Sequence, residues 1–187
     1  MRGISCGTVL VLALLSVQLL PTTAKAQYVG ASRCRPCHLQ ESKSWEQTHM
    51  AKAFELLKPG VAAEAKRAHK LDPDKDYTGD PNCVSCHVTG HGQPGGFVSA
   101  EKTPGLVGVQ CEVCHGPGAG YLKPQLMSLQ NKEYQRSGLV TAGLVVPSAE
   151  TCKTCHNKNS PFYQPFDYET RLREGTHAHI SLKYKHD

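Results

Sequence analysis

Eight cysteines and four histidines of this chain recur in a single pattern. Cys34-Arg-Pro-Cys37-His38, Cys83-Val-Ser-Cys86-His87, Cys111-Glu-Val-Cys114-His115 and Cys152-Lys-Thr-Cys155-His156 all read C-x-x-C-H. Two thiols three residues apart share one side of a helical turn, so each can add to one vinyl group of a porphyrin. The adjacent histidine then projects under the ring, where it can ligate the iron. This is the attachment signature of c-type haem. Zinc sites also use paired C-x-x-C and exported chains use cysteines in disulfides, but neither explains a histidine directly after every pair. Thioredoxin-like redox motifs occur singly, within a βαβ pattern absent here. The expected cofactors are four covalent haems on Cys34, Cys37, Cys83, Cys86, Cys111, Cys114, Cys152 and Cys155. His38, His87, His115 and His156 are then the proximal iron ligands.

Cys6, the ninth cysteine, lies in a segment of another kind. Residues 1–26 carry Arg2, then an apolar run over 9–20, then Ala24-Lys25-Ala26, which is the layout of a secretory signal peptide. The run falls short of the ~20 apolar residues that span a bilayer. Cys6 precedes the run, whereas a lipoprotein cysteine would follow it. The expectation is a cleaved signal and an exported, periplasmic chain of residues 27–187 with no transmembrane anchor. Those residues form one tetrahaem domain.

Composition sharpens what holds that domain together. Of the 161 residues in 27–187, 28 are Val, Leu, Ile or Phe. That share, roughly 17%, is low for a chain that packs its own core. The net charge of the whole chain is only +5, so a disordered polyelectrolyte is excluded as well. Macrocycles supply the missing apolar volume. The motif starts are separated by 49, 28 and 41 residues, too unequal for a tandem repeat. One irregular unit wrapped round a haem cluster is expected. Basic residues are dispersed, with no basic stripe interleaved with aromatics, which gives no signal for nucleic acid.

The elements that must position the motifs read as short. Residues 42–58 form a helix that stops at Pro59-Gly60, and 61–71 a second that stops at Asp72-Pro73. Glycine- and proline-rich loops flank the second motif, and Gly116-Pro117-Gly118 forces a tight exit from the third. Residues 125–137 are a further helical candidate, and 168–174 a short helix before His177-Ala178-His179. Only 139–146 reads as a strand, and Gly143 interrupts it. The fold class is mainly α with extensive irregular loops.

Each iron has a second axial position. Met50, Ala53, Phe54 and Leu57 share one face of the first helix at about 100° per residue, with His49 on its flank. A haem packed there meets Met50 more squarely than His49, and both stay candidates. Met127 is the other methionine of residues 27–187. His177 and His179, two apart, should not both serve one iron. His69 reads as a solvated helix residue, His186 as part of a frayed terminus, and His91 as a loop residue.

The combination of segments resembles the tetrahaem cytochrome c-554 family. The resemblance runs through the first motif, Ser44-Trp45, Thr48, Met50 to Ala53, Leu57-Lys58-Pro59, Asp76-Tyr77-Thr78 and the second motif. It continues through Gly95-Gly96, Cys111 to Gly118, the fourth motif, Gln164-Pro165-Phe166 and His177 to His179. It implies a periplasmic, mainly α electron carrier with three bis-histidine irons and one five-coordinate iron at the second motif. Gln164, Pro165 and Phe166 would wall off that open face, and His177 would be a distal ligand. The chain departs from the family where Met50 aligns with a distal histidine, and where the histidine expected downstream of the third motif is missing, with Met127 just beyond. Methionine ligation at one or both positions is the resulting expectation; a shift of the ligand to His49, or two open haems, compete with it.

The functional expectation is an electron carrier rather than an enzyme. The resemblance implies a hydroxylamine oxidoreductase-like donor, with a downstream cytochrome or quinone-linked acceptor. The alternatives are reduction of a small nitrogen oxide such as nitric oxide at a five-coordinate haem, and a haem subunit of a larger redox complex.

Overall fold

The computed structural model describes residues 27–181; the signal segment expected at 1–26 and His186 lie outside the described residues. Among the described residues the helices are α1 (Leu39–Trp45), α2 (Ala63–Ala68), α3 (Pro81–His87), α4 (Cys111–His115), α5 (Arg136–Thr141), α6 (Ala149–Lys153) and α7 (Tyr168–Gly175). One-turn 3-10 helices occur at Ala31–Arg33, Ala53–Leu57, Pro104–Leu106 and Gly118–Gly120. The sheet content of these residues is one antiparallel bridge, between Val88 and Val107. The mainly α class with long irregular connections is therefore correct.

No described helix exceeds the eight residues of α7. Helices shorter than about 12–15 residues do not persist alone in water, so caps and tertiary contacts must hold each one. Asp80 accepts the Asn82 N–H at 3.0 Å, and Pro81 occupies the first turn of α3. Ser148 and Thr151 form a reciprocal capping box at α6. Asp167 accepts from the Thr170 N–H at 3.1 Å and opens α7.

Side-chain core is confined mainly to one place. Phe54, Leu57, Tyr77, Val84, Val88, Phe97 and Leu106 form a buried cluster, with Cys83 packed against it. Phe54 and Phe97 meet at a centroid distance of 5.9 Å, tilted 59°, an arrangement favourable for aromatic pairs. This cluster surrounds the second motif. The aliphatic core thus supports α3, and the third and fourth motifs have little of it.

Three local expectations are corrected. The helix over 42–58 is broken: α1 ends at Trp45, and a 3-10 turn resumes at Ala53. The Thr48 hydroxyl donates to Trp45 O at 2.7 Å, and Met50 O accepts from the Val109 N–H at 3.2 Å, so tertiary bonding competes with helical propagation. Residues 125–135 are turns, and the helix starts only at Arg136. The strand candidate at 139–146 begins inside α5 and ends as extended chain, with Val145 N–H bonded to His115 O at 2.9 Å. The buried face of the first segment is retained, because Ala53, Phe54 and Leu57 are all buried.

Candidate haem sites

In each motif the first cysteine and the histidine close one α-turn. The His38 N–H reaches Cys34 O at 3.0 Å and the His156 N–H reaches Cys152 O at 3.0 Å; the other two motifs lie within α3 and α4. The thiols of every motif therefore share a face, as attachment to a single ring requires. All eight thiols are free of disulfides.

Long-range contacts bring the four turns together. The Cys34 thiol is pushed up by its neighbour Cys111, and the Cys155 thiol by its neighbour Cys86. Cys111 is lowered in turn, chiefly by Cys34, and Cys86 falls to about 6, chiefly through Cys155. Burial pushes Cys114 up to about 11, with the charges of Cys152 and Cys111 adding to it. The motifs thus follow one another in space in the order first, third, fourth, second. Lowered thiols are the more nucleophilic partners in addition chemistry.

Residues outside the motifs fix these positions. The carboxylate of Glu112, a variable position of the third motif, accepts from the Val29 N–H at 2.9 Å, the Gly30 N–H at 2.8 Å and the Gly118 N–H at 2.6 Å. Gln110 accepts from the Ala31 N–H at 2.6 Å and donates to Val107 O at 2.8 Å. Together they tie the chain just before the first motif to the third. Thr89, fully buried, donates to Gly108 O at 2.8 Å and accepts from the Gln110 N–H at 3.1 Å, linking the exit of the second motif to the start of the third. Gly116 leaves the third motif at φ 76°, ψ 166°, a region essentially reserved for glycine, and a Cβ there would lie 2.6 Å from Gly143 O.

The donor set suits a ligated iron. His87 Nδ1–H donates to the Ala53 carbonyl at 2.6 Å, which fixes the tautomer and leaves Nε2 free to coordinate. His177 does likewise toward Ala178 O at 2.8 Å. The His115 and His177 rings stand 6.2 Å apart, which matches two nitrogen–metal bonds of about 2 Å plus half a ring on each side. Burial holds the His115 and His156 imidazoles below their usual value, favouring the neutral form that binds metal.

His156 opens on a cavity of about 570 Å³, within the 300–1,000 Å³ typical of cofactor sites. Thr48, His49 and Met50 line it, as do Cys155 and His156. Met50 is half-buried with its backbone pinned by Val109, whereas His49 is exposed. Gln164, Pro165 and Phe166 line the same cavity, and Phe166 stacks on His156 at 4.7 Å. This wall therefore sits beside the fourth motif. Met127 is half-buried in the turn after Lys123 and belongs neither to the cavity nor to the His115–His177 pair.

Of the C-terminal pair, His177 faces His115 while His179 Nε2 is engaged with the Thr176 hydroxyl at 3.1 Å. The Ala178 N–H donates to Ser44 Oγ at 2.8 Å and anchors this extended segment on α1. His69 is exposed, with its ring tilted 50° against Phe162 at a centroid distance of 4.5 Å. Glu112, Gln110 and the Ala53 carbonyl escaped sequence reasoning. The first occupies a variable motif position, and the role of a backbone carbonyl leaves no trace in residue type.

The chain is similar to known proteins. Residues 33–116 match the family model described as cytochrome c554 and c-prime. The chain is 38% identical to the cytochrome c-554 of Nitrosomonas europaea, over 89% of this chain and 76% of that protein. A solved structure of reduced cytochrome c554 from Nitrosomonas europaea superposes with a TM-score of 0.76 at 37% identity, covering 86% of this chain and 89% of that one.

Proposed function

Because this chain belongs to the cytochrome c-554 family, a family of c-type cytochromes with four haems, we propose that it is a periplasmic electron carrier fed by a hydroxylamine oxidoreductase-like donor. Its acceptor is a downstream cytochrome or a quinone-linked protein. Each haem, when bound, supplies a one-electron iron couple. The observation that carries the reading is that all four C-x-x-C-H motifs wind as single α-turns with their thiols free, one of them with its histidine ring 6.2 Å from that of a second histidine, His177.

The roles of the chain's own residues follow from their placement. Cys34, Cys37, Cys83, Cys86, Cys111, Cys114, Cys152 and Cys155 anchor the four rings. His38, His87, His115 and His156 present the proximal nitrogens, and the Ala53 carbonyl orients the ring of His87. His177 is the distal partner at the third motif, supported by its spacing from His115. Met50 is the distal partner at the fourth, supported by the cavity it shares with His156, with His49 at the more exposed rim. Gln164, Pro165 and Phe166 shield the junction of the second and fourth motifs from water. Among the described residues no helix is long and apolar enough to cross a membrane.

The deciding experiment mixes the haem-loaded protein with catalytic hydroxylamine oxidoreductase and hydroxylamine in a stopped-flow spectrometer. Rapid reduction of all four haems is expected. No reduction by that donor, with normal reduction by dithionite, would overturn the donor assignment. Steady consumption of nitric oxide under reducing conditions would instead favour the enzymatic alternative.

A further inference from the structure

We infer that two buried charges of opposite sign, the Glu112 carboxylate and the Lys66 ammonium, set the direction in which electrons cross this protein, from the third motif toward the second. The inference rests on the four-haem carrier reading above and adds to it a polarity.

Among the described residues these are the two acidic or basic side chains that are buried, with 2% of Glu112 and 4% of Lys66 exposed. Neither has an ion-pair partner in contact among those residues, although the Lys66 charge also reaches the exposed Asp76 carboxylate. Glu112 is bonded by the backbone N–H groups of Val29, Gly30 and Gly118. Lys66 donates to Lys58 O at 2.7 Å and lies over the Tyr77 ring at 5.3 Å from its centroid. A buried charge with no counter-ion in contact acts through a medium that screens far less than water.

The two sit at different points of the motif succession. Glu112 is part of the third motif itself, one residue from Cys111. Lys66 covers Tyr77, which belongs to the cluster that packs Cys83 of the second motif. Lys75 lies over the same ring at 4.7 Å, but its charge is offset by Asp80 at 3.5 Å. At Cys83, whose thiol is pushed up by burial and by Asp80, Lys75 and Lys66 pull the other way, so their field reaches this attachment site.

The sign of each effect is fixed by electrostatics. A fixed negative charge opposes an added electron beside it, and a fixed positive charge favours one. Glu112 therefore lowers the reduction potential at the third motif, and Lys66 raises it at the second. The potential therefore rises from the third motif to the second, and an electron held at the third is drawn toward the second.

The test is a redox titration of the haem-loaded protein, with the ring signals of His87 and His115 followed by paramagnetic nuclear magnetic resonance. In the wild type the second motif should reduce before the third. Lys66→Met should lower the midpoint at the second motif, and Glu112→Gln should raise it at the third. Each shift is expected to be about tenfold in the reduction equilibrium, about 59 mV for one electron. Lys66→Arg and Glu112→Asp, which keep the charge, should preserve the order. The reverse order in the wild type, or equal movement of all four midpoints in either variant, would overturn the inference. If one variant fails to load haem, the wild-type order and the other variant decide. Fewer than four one-electron transitions in the wild type would instead defeat the carrier reading.

Discussion

Glu112 accepts the backbone N–H of Gly30 at 2.8 Å across 82 positions of sequence. The same carboxylate holds Val29 and Gly118, so one side chain joins the approach to the first motif, the third motif and the exit from the third. Replacing Glu112 with Ala leaves three N–H donors without their acceptor. Each such group costs about 1–3 kcal/mol when shielded from water. An overall loss of about 3–5 kcal/mol is expected. Urea unfolding of the haem-loaded variant checks it; a change below about 1 kcal/mol would show that the clasp is not structural.

Met50 and His156 line one cavity, with the Met50 backbone pinned by Val109. Thioether ligation raises the reduction potential relative to two imidazoles. The ferric protein should show a weak sulfur-to-iron band at long wavelength, and Met50→Ala should abolish it. Met50→His should also abolish the band and lower one of the four midpoints. A wild-type spectrum without the band would refute sulfur ligation.

Haem attachment should be a condition of folding. The buried cluster surrounds the second motif alone, and the turns at 121–135 and the segments that follow have little apolar burial of their own. Serine in place of all eight motif cysteines is expected to leave a chain without cooperative thermal unfolding. A sharp melting transition in that variant would contradict the haem-cored architecture.

Much of the candidate site was legible in residue spacing. The C-x-x-C-H pattern specified attachment because its chemistry is local: five residues on one turn contain both thiols and the proximal ligand. The buried face of Ala53, Phe54 and Leu57 was also readable, since periodicity marks it whether the segment winds as an α or a 3-10 helix. The helix expected over 42–58 failed at Thr48 and Met50, whose backbone and side-chain bonds are won by partners unseen in local sequence. Nothing in residue type separates Glu112 and Lys66 from the chain's other charged side chains, and only burial distinguishes them.

By itself, then, the sequence determined the cofactor class, the eight anchoring cysteines and the four proximal histidines, because covalent chemistry depends on residue types a few positions apart. Tertiary structure alone decided which motif neighbours which, that His177 rather than His179 faces His115, and that Met50 shares a cavity with His156. Those relationships connect residues tens of positions apart through hydrogen bonds and packing. Local pattern has no means of encoding which distant partner a side chain will meet.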